Sequence, residues 1–282
     1  MPDRTIELLE KGSFSNINDP FRKGNVIVLP RQGSLVIAGD LHGHRRNFER
    51  IVTYAQLDRH PDRHLILQEI IHGGSTDPNG GCLSFELLFE AIRLKLNYPN
   101  QVHLIMGNHD TSLISGTEVM KDGREMNRAF RDGLAFRFDT YSDTIHERIK
   151  QFLLSQPLAI KTKNRIWISH SLPGDRFIDQ FDIKIFKYPI TDKHCEKPGS
   201  VYLLTWGRRM RQETLDHFGS LFGVDWFILG HQTQEQGYAR YGQNLLIIIS
   251  EHNHGCMAHV SLEEDLTMET IMDSIIPLSS IA

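Results

Sequence analysis

The chain has 282 residues, 40% hydrophobic and 23% charged, with a formal net charge of -4 at neutral pH. That length supports one large domain or two small ones with a sizeable core. The charge balance gives no basic footprint for nucleic acid or an anionic membrane, and no apolar run approaches the ~20 residues that cross a bilayer.

In chain order, the N-terminus MPDRTIELLEKG lacks the apolar stretch of a secretory signal. Residues 1–24 read as a polar extension, because SFSNINDPFRKG carries turn residues and little periodicity. The domain is expected over 25–282. From Asn25 onward, short β-branched runs alternate with longer mixed segments: NVIVLP, SLVIAG, HLILQ, VHLIMG, RIWISH, WFILGH and LLIIIS. Each is short, aliphatic and bounded by Gly or polar residues, as buried strands are. Between them, Phe48, Ile51, Val52 and Ala55 repeat at helical spacing, as do Phe85, Leu88, Phe89, Ile92 and Leu96. Strand and helix in alternation predict an α/β fold. Residues 111–157 are expected to be helical and to cap one edge of the sheet; 171–200 are expected to be loop. Cys82, Cys195 and Cys256 form no metal spacing and read as reduced thiols in a cytoplasmic protein.

Five of the strand runs end in metal-ligand chemistry. LVIAGDLHGH ends in Asp40 and His42, LILQE in Glu69, LIMGNHD in Asn108 and His109, IWISH in His170, and FILGH in His231. Ligands of open α/β sheets bind beyond the carboxyl ends of the strands. Carboxylate, imidazole and carboxamide suit hard or borderline cations such as Mn²⁺, Fe²⁺ or Zn²⁺. So many ligands suit two ions about 3.5–4 Å apart that share one carboxylate. Glu69 is the expected bridge, and the metal charge would offset its desolvation at the end of a buried strand. Gly39, Gly107 and Gly230 each precede a ligand, where close backbone approach is expected.

GDLHGH, GNHD, WISHSLPGD and ILGHQTQEQGY resemble the motifs of metallophosphoesterases. More narrowly they are similar to the phosphoprotein phosphatase family, which includes Ser/Thr protein phosphatases and symmetrical dinucleoside tetraphosphatases. The resemblance covers roughly Leu35 to His259, and LLTWGRRM resembles the Trp-containing segment of the family. It implies a four-layer αββα sandwich of two mixed sheets flanked by helices. It implies Asp40, His42 and Glu69 on one metal, and Glu69, Asn108, His170 and His231 on the other. It implies two divalent ions (Mn²⁺, Fe²⁺/Fe³⁺ or Zn²⁺), His109 as general acid, and in-line attack on phosphorus by a metal-bridging hydroxide. Many metallophosphoesterases end in GHxH; here the second position is Thr233, as in the phosphoprotein phosphatase branch. His252 or His254 would be the substitutes.

The chain departs from the family in its second motif. Where the family has GDxxDRG, this chain has QEIIHGG. Glu69 replaces the bridging Asp. His72 replaces the Asp that orients the acid histidine, and it either pairs with His109 through water, reaches a metal, or sits on the rim without a role. Gly73 replaces the phosphate-gripping Arg, which removes a bidentate clamp. Arg208, Arg209 and Arg45 are the candidates to take its place. The expected function is hydrolysis of a phosphomonoester, with a phosphoprotein or a small phosphoester as partner. Hydrolysis of a dinucleoside polyphosphate and a non-catalytic metal-binding scaffold are the alternatives. No basic stripe interleaved with aromatics points to nucleic acid, and no membrane partner is expected.

Overall fold

Alternate side chains of a strand face opposite ways, and here each face finds a partner. In a computed structural model that describes residues 2–282, the chain forms, in order, α1 (Pro2–Ile17), β1 (Arg22–Lys23), β2 (Val26–Leu29), β3 (Ser34–Asp40), α2 (Arg45–Ala55), β4 (Arg63–Gln68), α3 (Phe85–Asn97), β5 (Val102–Ile105) and α4 (Asn108–Ser115). A hairpin of β6 (Met120–Lys121) and β7 (Arg124–Glu125) follows, then α5 (Met126–Phe138), α6 (Ser142–Ser155), β8 (Ala159–Thr162), β9 (Ile166–Ser169), α7 (Asp192–Cys195), α8 (Ser200–Trp206) and α9 (Gln212–Phe222). The chain closes with β10 (Trp226–Leu229), β11 (Tyr238–Tyr241), β12 (Leu245–Ile248), β13 (Cys256–Ser261), α10 (Met268–Asp273) and β14 (Ile275–Pro277).

Two mixed sheets result, flanked by helices. One runs β1-β2-β8-β9-β10-β12-β11 and the other β14-β13-β3-β4-β5. Ile27, Leu29, Ile160, Ile166, Ile168, Ile228, Leu246 and Ile248 of the first meet Leu35, Ile37, Ile66, Ile105 and Ala258 of the second in one dry layer. The intervening residues, among them Val36, Ala38, Leu65, Leu67, Leu104 and Trp167, pack in the other core, with the helices. Within the second sheet β3, β4 and β5 are parallel, and within the first β9 and β10 are parallel. Their carboxyl ends therefore point the same way within each sheet.

All seven strand runs are strands. The sequence reading missed β8 and β13, which are central or near-central in their sheets but carry Lys161 and His259 among their apolar residues. The 171–200 interval is not plain loop. It holds 3₁₀ turns at Asp175–Gln180 and Ile183–Phe186, and α7, whose Cys195 is buried.

The N-terminal segment also differs from its expected form. Pro2–Ile17 is helical and packs on α3 and α6. The contact turns on a glycine: a Cβ at Gly12 would lie 2.7 Å from Ile92 Cγ2 and 3.0 Å from Phe152. A helix seated through a missing side chain leaves little trace in hydrophobic periodicity. Just beyond it, Asp19 enters the interior. Its Oδ2 accepts from Lys95 Nζ at 2.8 Å and lies 3.1 Å from His103 Nδ1, and His103 Nε2 lies 3.1 Å from His64 Nδ1. Burial raises the Asp19 carboxyl, but the hydrogen bonds and charges of His103 and Lys95 outweigh it and hold the group well below the usual range. His103 is itself pushed down by burial, so at neutral pH the Lys95 ammonium is the cation that keeps Asp19 ionised.

Candidate metal centre

The ends of β3, β4, β5, β9 and β10 bring their polar residues to one place. Asn108 Oδ1 lies 2.8 Å from His170 Nε2 and 2.8 Å from His231 Nδ1; these two nitrogens are 3.2 Å apart. Glu69 Oε2 is 2.9 Å from His170 Nε2. Asp40 Oδ1 lies 3.7 Å from His170 Nδ1, and Asp40, Glu69 and His170 offer ligand atoms within 4.8 Å of one another. His42 Nε2 is 3.9 Å from Asp40 Oδ2. All six candidate ligands are buried.

Neighbouring groups fix the proton positions. His170 Nδ1 faces the acceptor Gln68 Oε1 at 3.1 Å, so His170 carries its proton there and presents a bare Nε2. His42 Nδ1 donates to Ile71 O at 3.0 Å, which leaves its Nε2 bare as well. Bare nitrogen, carboxamide oxygen and carboxylate oxygen thus meet with too few protons to share. A cation about 2.1 Å from each ligand spaces neighbours about 3.0 Å apart in octahedral and about 3.4 Å apart in tetrahedral geometry, which brackets the longer separations seen here. The donor set therefore fits a divalent metal. Burial pushes the Asp40 carboxyl up to about 6 and Glu69 up to about 8. It pushes His42, His170 and His231 down, His170 to about 4. Neutral imidazoles are ready ligands, whereas the carboxylates need positive charge to stay ionised at neutral pH.

Backbone geometry holds this cluster close. Glu69 Oε2 accepts from Asn108 N at 2.9 Å and Oε1 from His109 N at 3.0 Å, so the carboxylate also satisfies free N–H groups at the start of α4. A Cβ at Gly107 would lie 2.4 Å from Glu69 Oε2, and one at Gly230 would lie 2.3 Å from Asp40 Oδ1. The expected close approaches at these glycines are real. His42, Glu69, His72 and His231 themselves carry positive φ, between 42° and 69°.

Residues 33–235 match the calcineurin-like phosphoesterase family. The chain belongs to that family. A serine/threonine-protein phosphatase of Caenorhabditis elegans is 22% identical over 236 residues, which cover 79% of this chain and 48% of the relative. The chain spans about half the length of the curated relatives it matches. Among solved structures, a Saccharomyces cerevisiae protein serine/threonine phosphatase, described as similar to human phosphatase PP5, superposes with a TM-score of 0.67. It is 16% identical, over 93% of this chain and 83% of that one. A cold-active protein-tyrosine phosphatase of a psychrophilic Shewanella has a TM-score of 0.57 at 16% identity, over 84% of this chain and 77% of that one. Both likenesses are of fold.

In this calcineurin-like phosphoesterase the altered second motif has a definite geometry. His72 is fully buried, and its Nδ1 lies 3.0 Å from His109 Nδ1. The pairing is direct, without the water that the sequence reading offered. His72 packs edge-on against Phe130, and its Nε2 is buried with no partner. Burial pushes His72 down to about 3, so it is a neutral partner for His109 where the resembled motif carries an anion. His109 is pushed well down by burial and is neutral as well.

The candidate arginines separate. Arg45 is ion-paired with Glu90 on α3. Arg208 Nη1 reaches His231 O at 3.5 Å and lines the cavity of about 440 Å³ over the candidate ligands. Arg209 lines a neighbouring cleft of about 390 Å³ with Arg176, Lys197, Arg211, Tyr202 and Trp206, and Arg208 borders both. His252 also lines the metal-side cavity, but its Nε2 is 2.9 Å from Gln234 O. His254 is exposed. Trp206 of the LLTWGRRM segment donates Nε1–H to Thr111 at 3.0 Å and places its ring 6.3 Å from that of His231.

Three site residues escaped the sequence reading. Gln68 precedes Glu69 at the end of β4; its Oε1 orients His170 and its Nε2 donates to Ala38 O at 3.0 Å. Its only signal was a buried carboxamide one residue before a ligand. Outer groups that fix a ligand imidazole typically carry about 10–100-fold in metal affinity. Gln68→Leu is expected to weaken Mn²⁺ binding by that order in a chelator competition, without unfolding the chain. The other two, Lys121 and Glu251, line the cavity and form an ion pair there. Lys121 lies outside every strand run, whereas Glu251 directly follows LLIIIS and was a strand-end carboxylate that the sequence did offer.

Proposed function

We propose that the protein is a dimetal-dependent phosphoesterase that hydrolyses phosphomonoesters, with a phosphorylated protein or small phosphoester as substrate. The observation that carries the reading is the convergence of Asp40, His42, Glu69, Asn108, His170 and His231, with His109 beside them, in a calcineurin-like phosphoesterase fold. Asp40, His42 and Glu69 would hold one ion, and Glu69, Asn108, His170 and His231 the second. Bound there, Mn²⁺, Fe²⁺/Fe³⁺ or Zn²⁺ would supply activation of water and charge to offset the phosphoryl oxygens. Glu69, fixed by two backbone N–H groups, spans the two ligand sets. His109, on the first turn of α4, would take up a proton when the phosphate dianion binds beside it and deliver that proton to the departing oxygen, and His72 holds its ring. Arg208 borders the cavity and offers a planar fork to the phosphoryl oxygens.

A second reading has its own support. The basic, aromatic-walled cleft reached through Arg208 and Arg209 favours a substrate with more negative charge next to the scissile phosphate, as in a dinucleoside polyphosphate. The three cysteines are buried and unbridged, which agrees with a reducing, cytoplasmic setting. Among the described residues no helix is long and apolar enough to cross a membrane.

The test is p-nitrophenyl phosphate hydrolysis by metal-stripped protein titrated with Mn²⁺, beside His109→Asn. Metal-dependent turnover is expected in the wild type. A positioned proton donor contributes about 10²–10⁴-fold, so the variant should lose that much kcat at unchanged metal content. A wild type that binds Mn²⁺ and turns over neither this ester nor a dinucleoside tetraphosphate would sink the reading.

A further inference from the structure

Position 73 cannot carry a phosphate clamp in this fold. A Cβ there would lie 2.3 Å from His42 O and 3.2 Å from His42 Cβ. The backbone that brings His42 and Glu69 together leaves room for glycine alone. Any cation that grips the phosphate on that side must come from elsewhere.

Lys121 is placed to supply it. It lines the same cavity as Asp40, His42, Asn108, His109 and Arg208, and its side chain is 23% exposed. Its charge bears on His42, Glu69, His72 and His109, while that of Arg208 bears on His170 and His231. Geometry ties Lys121 to the side of His42 and His109: its partner Glu251 lies near His42, whose ring is 4.7 Å from that of His109. Lys121 pairs with Glu251, a 17% exposed carboxylate whose Oε2 also lies 3.9 Å from His42 Nε2.

The supporting hairpin is built rather than loose. Asp122 and Gly123 make its turn with φ of 51° and 75°, the left-handed pair that a tight two-residue turn needs. Its base is tied to α4 and α5: Glu118 accepts from Asn127 N at 2.7 Å, Asn127 donates to Thr117 O at 2.9 Å, and Ser112 donates to Thr117 O at 2.8 Å. Arg124 across the turn donates to Gly80 O.

We propose that Lys121 binds the substrate phosphate on the His109 side of the metal centre, in place of the arginine that Gly73 excludes, with Glu251 as its partner when no phosphate is bound. A phosphate dianion carries more charge than a single carboxylate and displaces Glu251 from the ammonium. The ammonium is one compact donor group, so it holds phosphate without the bidentate geometry of a guanidinium. The inference deepens the hydrolase reading and rests on the same site.

Orthophosphate binding tests it apart from turnover. Calorimetric titration of Mn²⁺-loaded wild type, Lys121→Met and Lys121→Arg gives the dissociation constants, and metal content is measured on each sample. A lost charge-assisted hydrogen bond should weaken orthophosphate about tenfold or more in Lys121→Met, with Lys121→Arg recovering most of the affinity and metal content unchanged. Equal affinity in Lys121→Met and wild type overturns the inference, as does loss of metal in Lys121→Met or a wild type that does not bind orthophosphate. If orthophosphate binds through Lys121 but no ester is turned over, the inference stands and the hydrolase reading falls. If esters are hydrolysed and Lys121→Met matches wild type in KM and orthophosphate affinity, the reverse holds.

Discussion

Glu69→Ala is expected to remove metal-dependent phosphoesterase activity, lowering kcat/KM by about a thousandfold or more, since bound metals contribute several kcal/mol of charge stabilisation. The argument is local. Glu69 Oε2 is 2.9 Å from His170 Nε2 and clusters with Asp40, so its carboxylate is within reach of both proposed ligand sets. The same carboxylate accepts from Asn108 N and His109 N, so its removal also loosens the turn that carries His109, the proposed proton donor. Glu69→Gln separates the two effects. It keeps the volume beneath Gly107 and one acceptor oxygen, and gives up the charge. Wild type, Ala and Gln are compared by Mn²⁺ titration of p-nitrophenyl phosphate hydrolysis and by bound metal after dialysis. If Gln retains both metals and full turnover, Glu69 is not the bridge.

Lys95→Met should have the largest effect on stability. Lys95 and Asp19 are both buried, with side chains 1% exposed. Removing one partner of a buried ion pair costs about 3–5 kcal/mol, because the remaining charge is stranded. For a chain of this size that lowers the melting temperature by roughly 10 °C. The double variant Asp19→Asn/Lys95→Met should recover much of the loss, since neither charge is then buried alone. The pair also has a pH signature. The folded pKa of Asp19 is depressed, so its stabilisation is present above the ordinary aspartate range and is lost as pH falls through the folded value. The wild type should lose stability into acid below about pH 4, where Asp19 of the unfolded chain begins to take up protons. Without Lys95 that dependence should weaken, as measured by denaturant unfolding at a series of pH values. A Lys95→Met chain as stable as wild type would show that Lys95 Nζ reaches water.

The strand ends were legible because they concentrate two signals: an aliphatic run, and a ligand residue next to a glycine. Asp40, Glu69, Asn108, His170 and His231 meet for that reason. What stayed hidden depends on contacts between segments far apart in the chain. Gln68 acts on His170 from a strand of the other sheet. Lys121 reaches the site from a hairpin whose two-residue strands have no periodicity to read. α1 docks through Gly12, an absence rather than a pattern. His72 could be seen to replace an acidic residue in the resembled motif, but only the fold brings its Nδ1 to His109.

The positive φ of His42, Glu69, His72 and His231 has a consequence for how this chain can change. A non-glycine residue in that region costs about 1–2 kcal/mol. Four of them amount to a substantial share of the roughly 5–15 kcal/mol that separates a typical fold from its unfolded chain. Glycine at any of the four would relieve the backbone and delete a proposed ligand, or the partner of His109, in the same step. Selection for thermostability alone would therefore drift toward a sturdier protein with a poorer site, and selection for the site has to be met by stabilising changes elsewhere.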